Sequence, residues 1–334
     1  MRIWLITLCL HAGMTLSWTQ STTRRALKPM TTLLDRRIER LAGNRARQLL
    51  RDGISSEVID LRSQVIELRS EVEDMRAGRF AVDLLLGSQG RRNSRLVSES
   101  QLRELADQVR VVTGDPDAYG RIVQTYRMLF ELELRGVGRL AGGVRNVLGK
   151  LAVTPLLAPP NGEVLEVGTL FGLFSGGMAR QISRIGLRYE LTIVDPLASV
   201  QLQGAGLKPD ASGSPVTETV VRANLALAGV DDARLRLVQG FSGDPQIQDL
   251  IADRQYGVMI IDGDHSAEGV AADLLLAERV LAPGGIVVLD DYGDRNWPGV
   301  ERATRAHLNG DGSAGRSRFE LVGVVATSAF LRAR

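Results

Sequence analysis

Glu166-Val167-Gly168-Thr169-Leu170-Phe171-Gly172-Leu173-Phe174-Ser175-Gly176-Gly177 follows a short apolar run at 164–167 and leads into a stretch able to form a helix. Its glycines fall where a chain leaving a strand must turn sharply and let a ligand approach its backbone. A second apolar run, 191–194, ends at Asp195. A carboxylate in that place can accept hydrogen bonds from both hydroxyls of a ribose, so the pair of features points to a nucleoside-bearing ligand.

The spacing narrows the ligand. The loop reads Gly-x-x-x-Gly behind an acidic residue and lacks the Gly-x-Gly-x-x-Gly with which nicotinamide dinucleotides seat a pyrophosphate on a helix N-terminus. Glu166 would repel a pyrophosphate, whereas it suits the cationic methionine part of S-adenosylmethionine (SAM). An NAD-dependent oxidoreductase is thus the weaker reading. A glycine turn serving only strand–helix packing would leave Asp195 without a purpose.

Outward from the loop, further apolar runs at 235–238, 258–261 and 286–289 alternate with helix-forming segments, which predicts an α/β, doubly wound, mostly parallel sheet. A helix near 298–308 follows, then two runs at 319–322 and 324–331 separated only by Gly323. This tight pair predicts an antiparallel hairpin closing one edge of a seven-stranded sheet. Upstream, Pro155, Pro159, Pro160, Asn161 and Gly162 mark the boundary of that domain, taken as 156–334.

Residues 95–155 read as a helical region, with a capped helix at 98–111 and another starting at Asp115-Pro116-Asp117. In the 31–80 segment Val58, Leu61, Val65, Leu68, Val72 and Met75 recur at three- and four-residue steps, flanked by Arg62, Glu67, Arg69, Glu71 and Glu73. That seam suits a coiled coil and homo-oligomerisation, or an amphipathic helix lying on its own domain. In 1–30, Arg2 and the apolar run from Ile3 to Leu10 resemble a leader or anchor. His11 and the polar 17–23 stretch end the run well short of a span, no small-x-small cleavage site follows, and membrane contact is not expected.

The 334 residues carry 41 basic and 39 acidic side chains, a net charge of only +2. No field of one sign is available to hold a nucleic-acid backbone, so nucleic acid is not an expected partner. Cys9 is the single cysteine. It permits neither an intramolecular disulfide nor a multi-cysteine zinc site, and a cytoplasmic location is the expectation.

Taken together, Glu166-Val167-Gly168, Asp195, Gly240-Phe241-Ser242-Gly243-Asp244-Pro245, Ile261-Asp262-Gly263-Asp264-His265-Ser266 and Pro283-Gly284-Gly285 with Leu289-Asp290-Asp291-Tyr292 resemble the class I SAM-dependent methyltransferases. The likeness is greatest to a bacterial branch of O-methyltransferases acting on sugars and small hydroxylated molecules, and it covers roughly 161–331. It implies a Rossmann-like methyltransferase fold. It also implies that Glu166, Gly168 and Ser175 line the methionine end of the cofactor site, that Asp195 holds the ribose and that Ser242 sits near the adenine, with Gly172 also in the cofactor loop. Asp262 also borders the cofactor. Phe241 stands where the family commonly has an acidic residue.

Asp262 and Asp264 close the fourth strand, and Asp290 and Asp291 the fifth, so a parallel sheet brings four carboxylates to one edge. Such crowding is relieved by protonation or by a hard cation such as Mg²⁺. Resemblance to metal-dependent O-methyltransferases gives Asp262, Asp290 and Asp291 as metal ligands, with Asp262 and His265 as the catalytic pair. His265 would be the general base, although it could instead cap the next helix or orient Asp262. The acceptor would be a hydroxylated small molecule or a glycan, with nitrogen still open as the accepting atom. A methyltransferase-fold scaffold without activity, binding partners through its coiled coil, is the reading from another class. Trp297 and Pro298 either wall the acceptor pocket or simply pack. His307 is expected at the surface, and Arg302 and Arg305 in solvated pairs.

Overall fold

A computed structural model describes residues 33, 36–45, 60–72, 97–200, 202, 213–310 and 317–334. The chain divides into two compact units, 1–80 and 81–334. In the first, residues 36–45 and 60–72 are helical. The 60–72 helix carries Leu61, Val65, Leu68 and Val72 of the heptad, with Leu68 exposed. The expectations placed on 1–30, Val58 and Met75 lie outside the described residues. Among the described residues no helix is long and apolar enough to cross a membrane.

The second unit opens with three helices: α1 (Glu99–Thr113), α2 (Ala118–Arg135) and α3 (Val144–Leu156). Strands and helices then alternate: β1 (Glu163–Val167), α4 (Leu173–Arg184), β2 (Glu190–Asp195), α5 (Glu218–Leu227), β3 (Leu235–Gln239), α6 (Pro245–Ile251), β4 (Tyr256–Ile261), α7 (Ala267–Val280) and β5 (Leu281–Leu289). α8 (Pro298–Asn309), β6 (Phe319–Val325) and β7 (Ser328–Ala333) finish the chain. The seven strands lie in the order β3-β2-β1-β4-β5-β7-β6. The first five are parallel, and β7 runs antiparallel to both β5 and β6.

The expected hairpin is present with a different turn. Gly323 lies inside β6, beside a register shift, and the chain reverses after Val325. A Cβ on Gly323 would come within 2.6 Å of Val112 of α1, so this glycine admits a helix against the strand rather than making the turn.

Both faces of the sheet are covered, as a mostly parallel sheet requires. On one face Val164, Ile193, Val258, Ile286 and Phe330 pack against helices α1 to α5, so α1, α2 and α3 share a core with the sheet. On the other, Leu165, Val194, Met259, Val287 and Leu331 pack against α6, α7 and α8. α1 begins with a capping box, in which Ser98 Oγ accepts the Gln101 amide and Gln101 Oε1 accepts the Ser98 amide. Such a cap contributes about 1 kcal/mol. α3 is buried over almost its whole length, and that burial includes the polar Asn146 and Lys150.

Strand order reverses between β1 and β4, and backbone hydrogen bonds continue across the strand ends there. The Gly168 amide donates to Val194, Asp262 to Val167, Asp290 to Ile261 and Gly240 to Asp195. The residues that follow β1, β4 and β5 are thereby held in one row along the carboxyl edge, where open α/β sheets bind ligands.

Candidate active site

A cavity of about 460 Å³ opens on this edge. Glu166, Gly168, Asp195 and Ser242 line it, as do Asp262, His265, Trp297 and Lys150. Gly168 has φ +82°, and a Cβ there would stand 2.3 Å from the Asp262 carbonyl oxygen, so only glycine lets β1 and β4 run together at this point. Leu170 also adopts a left-handed conformation, φ 56°, which costs a non-glycine residue about 1–2 kcal/mol.

Asp195 secures that loop. Its Oδ2 accepts the amides of Thr169 at 2.8 Å and Leu170 at 3.2 Å, while Oδ1 accepts that of Leu197 at 2.8 Å. Both lone pairs of Oδ2 are thereby taken, whereas Oδ1 retains capacity for a further donor. Glu166 is fully buried. Burial pushes its pKa up to about 7, against the opposing effect of the Ser175 hydroxyl that donates to it. A carboxylate so desolvated is matched to a cationic ligand that would restore its charge. Thr169 Oγ1 is buried without a hydrogen-bond partner, as are both ring nitrogens of His265. Orphaned polar atoms around a cavity suit a ligand that supplies the missing partners, and the donor set fits SAM.

Two expected cofactor residues stand back from the cavity. Gly172, φ +78°, turns the loop into α4 and packs under Val221 of α5, whereas Ser175 acts through Glu166. Phe241 is 58% exposed at the rim, where it lines the cavity beside Ser242.

Beyond β4, Asp264 accepts the Ser266 amide at 2.8 Å and its hydroxyl at 2.7 Å, and Ser266 Oγ caps α7 through the Gly269 amide at 3.0 Å. The helix cap is thus Ser266, which leaves the His265 ring for the cavity. His265 lies against Trp297, centroids 5.0 Å apart, with Nε2 3.6 Å from Asp262 Oδ1 and 3.8 Å from Asp291 Oδ2. Burial opposes its charge, but the facing carboxylates of Asp262, Asp291 and Asp290 outweigh that, and its pKa is raised. Two smaller expectations resolve at α8: Arg305 pairs with Glu301 in solvent, while His307 is largely covered and meets Glu278 at 2.9 Å.

Sequence reasoning missed Lys150. Its side chain is 3% exposed, and Nζ lies 2.8 Å from Asp290 Oδ1 and 3.1 Å from Asp262 Oδ2. Asn146, one turn earlier, donates to the same Asp290 oxygen at 2.6 Å and is itself held by Ser328. The signal was available: Asn146 and Lys150 stand four residues apart in an otherwise apolar helix, so they share one face. Despite burial, which acts the other way, the ammonium holds the Asp262 pKa down, whereas burial and the charge of Asp262 push Asp290 up.

This arrangement bears on the expected metal. Asp262, His265 and Asp290 offer ligand atoms within 4.8 Å of one another, a spacing an ion could use. Asp291 is outside that set and takes the left-handed conformation, φ 54°. Two of the three groups already contact the ammonium, and Asp290 and Asp291 are not among the residues lining the cavity, whereas Lys150 is. A dication bound to both carboxylates would sit about 4 Å from Nζ, and at an effective dielectric near 20 the two would repel by roughly 8 kcal/mol. A divalent ion does not fit this donor set.

Comparison with known proteins covers the loop and the edge. Residues 165–292 match the family model described as "Methyltransferase domain". This stretch is a methyltransferase domain. Within the chain, 73 residues are 36% identical to mycinamicin VI 2''-O-methyltransferase of Micromonospora griseorubida, a match spanning 21% of this chain and only 18% of that relative. Among solved structures, a TDP-rhamnose 3'-O-methyltransferase of calicheamicin biosynthesis aligns over 71% of this chain and 96% of its own, at 19% identity and a TM-score of 0.43. The O-methyltransferase TomG of Streptomyces achromogenes, in complex with SAM, aligns over 71% of this chain and 90% of its own, at 17% identity and a TM-score of 0.39. The match runs from β1 to just past β5 and so omits α3 with its lysine.

Proposed function

We propose that this protein is a SAM-dependent methyltransferase acting on a hydroxyl of a sugar, glycoconjugate or natural product. The observation that carries the reading is that two buried carboxylates, Glu166 and Asp195, line one cavity together with His265, whose ring nitrogens are buried without a hydrogen-bond partner.

When bound, SAM supplies an electrophilic methyl group on a sulfonium. Glu166 and Gly168 hold the cationic methionine end, Asp195 the ribose hydroxyls, and Ser242 with Phe241 the adenine end. His265 accepts the proton of the acceptor hydroxyl as its oxygen becomes bonded to carbon, and Asp262 holds the resulting imidazolium. The remaining contribution is alignment, with Trp297 as one wall of the acceptor pocket. The sequence expectation of Mg²⁺ at Asp262, Asp290 and Asp291 has no step in this scheme. Self-association through the apolar face of the 60–72 helix accompanies the proposal, and sedimentation of the full chain against a Leu61→Glu, Leu68→Glu variant tests it.

The deciding experiment is calorimetric titration of the full chain with S-adenosylhomocysteine, followed by a screen of hydroxylated acceptors. Micromolar binding together with methyl transfer to oxygen supports the reading. A folded protein that binds no S-adenosylhomocysteine overturns it and favours a scaffold.

A further inference from the structure

The geometry points to Lys150 as a resident cation that takes the place of a divalent metal beside the cavity, making this a metal-independent site. The inference rests on the methyltransferase reading for its chemistry but not for its measurement.

Three observations carry it. First, the ammonium bridges the two carboxylates that an ion would need to share, at 2.8 Å to Asp290 and 3.1 Å to Asp262, and it is almost wholly buried. An unpaired lysine could not be held there, and an unpaired carboxylate pair could not either, so each side of the contact accounts for the other. Second, the position is built. Lys150 stands on a buried helix, its Nζ lies 4.7 Å over the Phe174 ring, and Asn146 from the same helix face fixes Asp290. Third, Lys150 and Asp262 line the cavity while Asp290 does not, so the ammonium borders the space a ligand would enter.

A fixed ammonium in this place does part of what an ion does for such a reaction. It favours the developing negative charge on the acceptor oxygen and donates a hydrogen bond to it. Lys150 keeps its proton throughout, and the hydroxyl proton goes to His265. Lys150 is therefore an electrostatic and positioning residue, distinct from the base.

The test is Mn²⁺ binding, read by electron paramagnetic resonance on the chelator-stripped full chain, for the wild type, Lys150→Arg and Lys150→Met. We expect no stoichiometric Mn²⁺ on the wild type or on Lys150→Arg. Lys150→Met, which frees both carboxylates, is expected to bind Mn²⁺ at least about tenfold more tightly. One Mn²⁺ per wild-type chain, displaced by Mg²⁺, overturns the inference, as does a folded Lys150→Met that binds no more than the wild type. Should Lys150→Met fail to fold, the wild-type and Lys150→Arg titrations decide alone. Loss of S-adenosylhomocysteine binding sinks the functional reading and leaves the metal result standing, whereas tight wild-type Mn²⁺ binding does the reverse.

Discussion

The Asp195 carboxylate accepts the Thr169 amide at 2.8 Å, so the residue suited to a ribose also holds the glycine loop in place. The two duties separate by substitution. Asp195→Asn keeps one acceptor oxygen for the loop but loses the charge, and is expected to weaken S-adenosylhomocysteine binding by about 10- to 100-fold with a small change in melting temperature. Asp195→Ala is expected to lose both, which calorimetry and thermal denaturation of the two variants would show.

Glu166 carries a cost that its ligand relieves. Its pKa is raised from 4.5 to about 7, chiefly by burial, so its contribution to stability is full below 4.5 and is lost as pH rises through about 7. The protein alone should therefore melt at lower temperature at pH 8 than at pH 5, an interval that takes in most of that window. Glu166→Gln should flatten this slope while weakening S-adenosylhomocysteine. Equal pH slopes for the two proteins would contradict the assignment.

The raised pKa of His265 sets the pH profile of transfer. A base that holds its proton above the usual histidine range must lose it to act, so the rate should climb with pH through neutrality and level above the folded pKa. His265→Ala should remove that rising limb and lower the rate by about 10²- to 10⁴-fold with S-adenosylhomocysteine affinity unchanged. A variant that keeps the wild-type pH profile would assign the proton to another group.

Gly168 and Asn224 test the scaffold under the loop. Gly168→Ala forces a Cβ toward the Asp262 carbonyl at 2.3 Å, and is expected to destabilise by at least about 2 kcal/mol and to abolish cofactor binding. Asn224 is buried, accepts the Val137 amide at 2.5 Å and donates to the carbonyls of Val137 at 2.6 Å and Phe171 at 2.8 Å. Its loss in Asn224→Ala strands three backbone groups, a cost of about 2–4 kcal/mol that denaturant unfolding would measure.

Much of this was written locally. Alternation of short apolar runs with helical stretches is a one-dimensional signal, and it placed five parallel strands and the terminal hairpin, because strand and helix periods depend only on neighbouring residues. The loop at Glu166 and the acids at 195, 262, 264, 290 and 291 were legible for the same reason: parallel strands deliver their carboxyl ends to one edge whatever the loops do. Which of those acids faces the ligand was not legible. Asp264, exposed at the rim, is taken up by Ser266 at the cap of α7, Asp290 turned toward Asn146 and Lys150 away from the cavity, and Asp195 and Asp262 line it with their carboxylates buried or half-buried. Hydrogen-bond partners drawn from α3, 112 positions before Asp262, decided this. The sequence by itself determined the sheet, the glycine turn and the carboxylate edge. The packing of α3 on that edge decided which cation the edge holds, since a charge is placed by burial and contact across the fold, and neither is encoded in the residues beside it.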